Sequence, residues 1–313
     1  MRRAIVVILC FILNVCLASE GDNAAEFTTC VDICNTTHCP AVLPFVLRLT
    51  GWTCERNCEY TCMQTMTDEA LVQGSAMVQY YGKWPFYRFA GLEEPASVAF
   101  SIGNGVVHYH YYKILLREIP LAYFYKPFLL AFSVIGINTW IWSTIFHARD
   151  LTWTQNMDYF SAAFSLLYAF YFAILRVFHV RQAATIRVIG AVLLVLFVMH
   201  VSYLSLIEFD FGYNIFVCVL VGTAQSLLWI GWCAAQYTRR TTSRPYAFLI
   251  LTFVIGVLAA GMLEVFDFAP ICRTIDAHSL WHLSTMLLLP LFYRFVIEDA
   301  WHEMGTQYSQ WNN

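Results

Sequence analysis

Charge is what this 313-residue chain lacks: only 12% of its residues are Asp, Glu, Lys or Arg. A water-soluble globular domain carries roughly 25%, so this chain has too little polar surface to cover a water-facing body of its size. An excess of base is missing too, because 18 Lys and Arg stand against 21 Asp and Glu, for a formal net charge of −3. Nucleic acid is thereby excluded as a partner, since phosphate binding needs a surplus of cations. Internal repeats and low-complexity stretches are absent. Residues that mark disorder are scarce, for 59% of the chain is hydrophobic and 17% aromatic, and mean hydropathy is +0.57. Disordered chains have the opposite composition. This is the composition of an integral membrane protein.

Residues 1–18 have the pattern of a secretory signal peptide. Arg2 and Arg3 precede a short apolar run over 4–17, and Ala18 ends a small-residue cleavage point. A retained signal anchor is the alternative, and either puts the next segment in the lumen. Of the 11 cysteines, Cys10 and Cys16 fall in the signal peptide, while Cys30, Cys34, Cys39, Cys54, Cys58 and Cys62 crowd into the luminal segment. An even set in an oxidising compartment points to disulfides and leaves their connectivity open. The alternative is a zinc knuckle: the C-x3-C spacing of Cys54, Cys58 and Cys62 puts three thiols on one helical face, with His38 among the cluster. Asn35-Thr36-Thr37 is a glycosylation sequon, consistent with a lumen. Cys218 and Cys233 lie in apolar runs and read as packing residues.

Long apolar runs follow over 96–116, 127–146, 157–175, 188–207, 213–235, 246–266 and 280–297. Each is near the ~20 residues that cross a hydrocarbon core of about 30 Å. Such spans must be helices, because lipid offers no partners to backbone polar groups. The expected fold is therefore an all-α membrane protein, a seven-transmembrane helix bundle with a small disulfide-rich luminal N-terminal domain. Its divisions are 1–18 signal peptide, 19–94 luminal cysteine-rich segment, 95–298 seven-span domain and 299–313 cytosolic tail. Basic residues agree with that orientation. Lys113, Arg117, Lys126, Arg176, Arg181, Arg187, Arg239, Arg240, Arg244 and Arg294 fall on the cytosolic side, and only Arg149 and Arg273 fall on the luminal links.

Ionisable residues inside spans are costly and mark function by default. Ser143 and His147 lie at the luminal end of the second span, Asp158 at the start of the third, and His278 and His282 at the start of the seventh. Both S-x3-H and H-x3-H are i,i+4 spacings, so each pair shares a helical face. Three imidazoles suit a catalytic Zn2+, leaving a fourth position for water whose pKa the metal lowers to about 7. Asp158 is placed to handle that water's proton, and Ser143 to donate to a developing oxyanion. A rival reading makes Ser143 the nucleophile with a histidine base oriented by Asp158, but leaves two histidines without a role. A polar interface with no metal explains any one of these pairs taken alone. His108 and His110 read as packed or hydrogen-bonded, His200 as a further polar contact near the site, and His179 and His302 as solvated. Glu93 and Glu94 before Pro95 read as a helix start, or as a contact for a polar headgroup.

Ser143-x3-His147, Asp158 and His278-x3-His282 resemble the signature of the CREST superfamily of seven-span hydrolases, which includes the alkaline ceramidases and adiponectin receptors. The cysteine segment from Cys30 to Cys62, the stretch Lys83-Trp84-Pro85-Phe86-Tyr87-Arg88 and the stretch Gly91-Leu92-Glu93-Glu94-Pro95-Ala96-Ser97-Val98 resemble its Per-one-like branch. Glu93-Glu94 differs from the Gln-Glu of that branch, which touches substrate detail rather than chemistry. The resemblance implies a phospholipase A2-type hydrolase acting in the Golgi membrane on GPI-anchored proteins as substrates. It would remove the sn-2 acyl chain of the anchor and leave a lyso-anchor for reacylation. A ceramidase-like amide hydrolase, and a seven-span receptor or trafficking factor without turnover, are the alternatives. Nothing in the sequence sets an oligomeric state or separates the Golgi from the endoplasmic reticulum.

Overall fold

Cysteine spacing shapes the first part of the chain in a computed structural model, which describes residues 19–238 and 244–311. The expected signal peptide, with Cys10 and Cys16, lies outside the described residues, as do Arg239 and Arg240. Three short helices come first: α1 (Ala25–His38), α2 (Phe45–Leu49) and α3 (Cys54–Val72). The Thr53 hydroxyl caps α3 by accepting from the Arg56 amide at 3.2 Å. Cys54, Cys58 and Cys62 share one face of α3 and pair with Cys39, Cys34 and Cys30 in antiparallel order. Disulfides thus replace the zinc-knuckle alternative, since a metal needs free thiolates; His38 Nδ1 lies instead 2.7 Å from the Thr37 hydroxyl.

Apolar packing in this segment is slight, with one cluster around Phe27, Cys62 and Tyr80 and another around Leu43, Leu47 and Trp52. Small cores of this kind depend on covalent staples. Replacing Cys34 and Cys58 together by serine opens a link with a sequence separation of 24 residues. The expected loss is about 3 kcal/mol, read as earlier thermal unfolding of the segment; an unchanged transition would contradict it.

Seven long helices follow: α4 (Pro95–Glu118), α5 (Lys126–Ala148), α6 (Thr152–Val177), α7 (Ala183–Leu206), α8 (Phe211–Thr238), α9 (Ala247–Phe266) and α10 (Ala277–Trp311). Proline opens α4 and lies in the first turn of α5, where its missing N–H leaves no helical bond unmade. Among the described residues, β structure is limited to isolated bridges. Six helices, α5 to α10, are long and apolar enough to cross a membrane, which makes this a membrane protein. The helix over the first expected span, α4, forms where expected but falls short of that apolarity. The reason is its inward face, where Ser97, Ser101, Asn104 and His108 are all buried.

Helix packing forms a ring: α4 on α5, α5 on α6, α6 on α8, α8 on α9, α9 on α10, and α10 back on α4. Trp229, Phe132, Phe172, Phe292 and Phe295 fill much of its core. Helix α7 packs on α6 outside the ring and exposes Val188, Val192, Val195 and Met199, as a lipid-facing helix does. The α10 helix continues past 298, and Asp299 and Glu303 are buried in the bundle. Within the core, His108 lies in the space a side chain at Gly136 would fill, with Nδ1 2.7 Å from the Tyr293 hydroxyl. It is the hydrogen-bonded core histidine expected from its position.

Candidate metal centre

Helix ends build the site. The last turn of α5 carries His147, one turn after Ser143, and the first two turns of α10 carry His278 and His282. The link between α5 and α6 is so short that Asp158, near the start of α6, returns to the same end of the ring. The two i,i+4 pairs therefore face each other. His278 Nε2 lies 3.3 Å from His147 Nε2 and 2.8 Å from His282 Nε2.

The opposite nitrogen of each ring is held by a different group. His147 Nδ1 lies 2.6 Å from Glu94 Oε2, His278 Nδ1 2.8 Å from Glu264 Oε1, and His282 Nδ1 3.0 Å from Ser101 Oγ. A ring that donates Nδ1–H to such an acceptor presents the Nε2 lone pair. All three rings thus turn their Nε2 atoms toward one point, and the trio is able to hold a metal ion. Tetrahedral bonds of ~2.0–2.1 Å put nitrogen ligands about 3.3 Å apart, which the separation of His278 from His147 matches and that of His278 from His282, at 2.8 Å, falls short of. The donor set and its outer shell of carboxylates and hydroxyl fit a divalent transition metal.

Asp158 is buried, and its carboxylate is close enough to His147 and His278 to interact electrostatically with both. Ser143 Oγ is 3.0 Å from Ser101 Oγ, so a hydroxyl pair lies behind His282. All five residues singled out in the sequence meet at this end. Asn35 lies on α1, with its Oδ1 3.9 Å from the Cys39 sulfur. His200 is buried and pairs with Asn214 at 3.2 Å. His179 and His302 lie at the far end, the first beside Glu303 and the second against the Tyr246 ring.

Three supporting residues escaped sequence reasoning. Glu94, which in the sequence reads as a helix start or a contact for a polar headgroup, has both of its oxygens used, by His147 and by Lys83 Nζ at 2.5 Å. Burial opposes its ionisation, but Lys83 and His147 hold its carboxyl well below the usual carboxylate range. Glu264 sits in the last turn of α9, with nothing in local spacing to link it to His278. Ser101 is a buried hydroxyl in an apolar run, a signal that was visible but not distinctive.

Fold and site together define a helical membrane protein with a three-histidine centre at one end of its bundle, tied to a disulfide-linked helix pair. Residues 44–300 match the Per1-like family, and the chain belongs to it. A Xenopus tropicalis protein named GPI-specific phospholipase A2-like PGAP3 is 37% identical over 301 residues, covering 93% of each chain. The human protein of that name is 33% identical, covering 90% of this chain and 89% of its own. The Protein PER1 homolog of Schizosaccharomyces pombe is 35% identical, covering 92% of this chain and 89% of its own. No solved structure matches the chain.

Proposed function

We propose that this chain is a zinc-dependent acyl-ester hydrolase that removes the sn-2 fatty acid from the GPI anchors of GPI-linked proteins during lipid remodelling. The observation that carries the reading is the convergence of three Nε2 atoms with every Nδ1 held from behind. The names of the relatives supply the substrate class. His147, His278 and His282 would hold the ion. A zinc bound there supplies a Lewis acid and lowers the pKa of water to about 7.

The chain's own residues do the rest. Asp158 Oδ takes a proton from the attacking water and returns it to the glycerol oxygen as the ester breaks. Ser143 donates its O–H to the carbonyl oxygen on which charge develops. Glu94, Glu264 and Ser101 keep the rings from turning. Helix α4 acts as a seventh span, because its polar face is turned to α5 and α10 rather than to lipid. We place the centre and the disulfide-linked segment in the Golgi lumen, with the C-terminus cytosolic. The sorting of basic residues toward the other end supports this. An anchor in the luminal leaflet then brings its ester to the level of the histidines.

Among the described residues the hydrogen-bond partner of Ser143 Oγ is Ser101, not a histidine, which favours a supporting role over attack. Cells lacking the protein, complemented with wild type, His278→Ala or Ser143→Ala, test both points. Wild type should restore replacement of the sn-2 chain on surface anchors and His278→Ala should not. Ser143→Ala should keep partial activity, lower by about 100-fold or more, as for a lost oxyanion donor. Identical acyl composition of surface anchors with wild type and His278→Ala overturns the function, and complete loss with Ser143→Ala restores the serine-nucleophile mechanism.

A further inference from the structure

We propose that Lys83, delivered by the disulfide-linked segment, is a positioning residue of the histidine centre that acts through Glu94 on His147. The inference rests on the metal reading above and assigns the cysteine-rich segment a part in the site. Lys83 is 28% exposed, and its Nζ lies 2.5 Å from Glu94 Oε1 and 2.9 Å from Asp150 Oδ2. It also sits 4.6 Å from the ring centroid of Phe146, the neighbour of His147. Glu94 is 8% exposed, and its other oxygen holds His147 Nδ1 at 2.6 Å. One carboxylate thus joins a cation from outside the bundle to a ring inside it.

The segment fixes where that cation stands. Tyr80 and Lys83 exchange backbone bonds of 2.8 and 2.9 Å across Tyr81 and Gly82, both at positive φ. That is the geometry of a tight type I′ turn. Tyr80 packs on Phe27 at 4.9 Å, in the cluster that contains Cys62. Beyond the turn, Phe86 O accepts from Gln64 of α3 at 2.9 Å. The link from α9 to α10 clamps the same stretch: Trp84 donates to Asp267 at 2.9 Å and Arg273 to the Pro85 carbonyl at 3.0 Å. The disulfide core, the 80–86 stretch and the link into α10 therefore form one support. Glu94 itself is docked on α5, its N–H donating to the His147 carbonyl at 3.1 Å. What its side chain lacks without Lys83 is a counter-charge, and a nearly buried carboxylate with none turns toward water and away from Nδ1.

A double-mutant cycle on the purified full-length protein, read by zinc affinity in chelator competition, tests this. Lys83→Met should weaken zinc binding by about 10–100-fold, the scale for outer-shell partners, and lower kcat with KM unchanged. Lys83→Arg should recover most of both. In a Glu94→Gln background, Lys83→Met should add less than about twofold, because its route to His147 is already cut. Should Lys83→Met alone not fold, the comparison of Glu94→Gln with the uncharged double variant decides the matter. A further tenfold loss in that background overturns the inference, since Lys83 would then act on the fold at large. Zinc bound equally by wild type and Lys83→Met overturns it as well and leaves the metal reading standing. A wild-type chain that binds no zinc overturns the metal reading and this inference with it.

Discussion

Replacing His147 by alanine should abolish metal binding and lower turnover by more than the ~10–100-fold that an outer-shell partner is worth. Three nitrogens are the whole protein donor set of the trio, and the imidazole of His147 is one of them. Its removal leaves two rings on α10, four residues apart, without the imidazole that α5 sets across from them. The change is local, because Glu94 keeps its ion pair with Lys83, and Glu93 and Glu94 keep their backbone bonds to the end of α5. Metal content of the purified protein and release of fatty acid from a GPI-linked substrate, measured on the same preparation, check it. Full metal content with intact turnover would end the assignment of His147 as a ligand. Loss of turnover with metal retained would move His147 from ligand to proton carrier.

Asp299→Ala destabilises the bundle by about 3–5 kcal/mol, the scale for stripping one partner from a buried ion pair, and leaves metal affinity unchanged. Arg176 is 1% exposed and gives two hydrogen bonds to the Asp299 carboxylate, at 2.5 and 2.7 Å. Arg244 and the Tyr246 hydroxyl each donate to the same carboxylate at 2.9 Å. Glu303 Oε1 also lies 2.9 Å from Arg176 Nη2. Without Asp299, Arg176 is left with Glu303 and Arg244 loses the carboxylate it pairs with. The network joins α6, the start of α9 and the end of α10, so its loss loosens three helices at once. About 32 Å of helix separates Asp299 from His278, which is why the metal centre should not respond. Thermal unfolding in detergent gives the first quantity and chelator competition the second. Replacing Arg176 and Asp299 together by apolar residues should be milder than Asp299→Ala, because no buried charge is then left unpaired. A double variant as unstable as the single would show that packing, not charge, accounts for the loss.

How far the molecule was legible in its sequence depended on whether a signal was local. Apolar length located each long helix to within about five residues, except at the end of α10, which runs on to Trp311 where the apolar run stops at 297; a helix in lipid satisfies its own backbone and needs no neighbour to define it. The i,i+4 spacings of Ser143 with His147 and of His278 with His282 showed which side chains share a face for the same reason. The C-x3-C repeat likewise put three cysteines on one side of α3. Their partners are another matter, because the antiparallel approach of α1 selects Cys39, Cys34 and Cys30 in that order. The polarity of α4 misled in the opposite direction: its buried Ser101, Asn104 and His108 look unfit for lipid, yet they face other helices.

The scarcity of charge therefore determined, by itself, that this is a membrane protein, and the few polar residues in its spans marked the candidate site. These facts need only transfer energies and helix periodicity, both properties of a segment taken alone. Which group stands behind each histidine was decided by tertiary structure. Glu94 precedes α4, Glu264 ends α9 and Ser101 lies within α4, and they reach His147, His278 and His282 only after the ring has closed. The same holds for Lys83, Arg176 and Asp299. Their charges look like ordinary surface residues in the sequence, and burial beside a particular partner gives each its effect. Periodicity specifies a face, but a contact between distant segments depends on how helices pack, which no local pattern encodes.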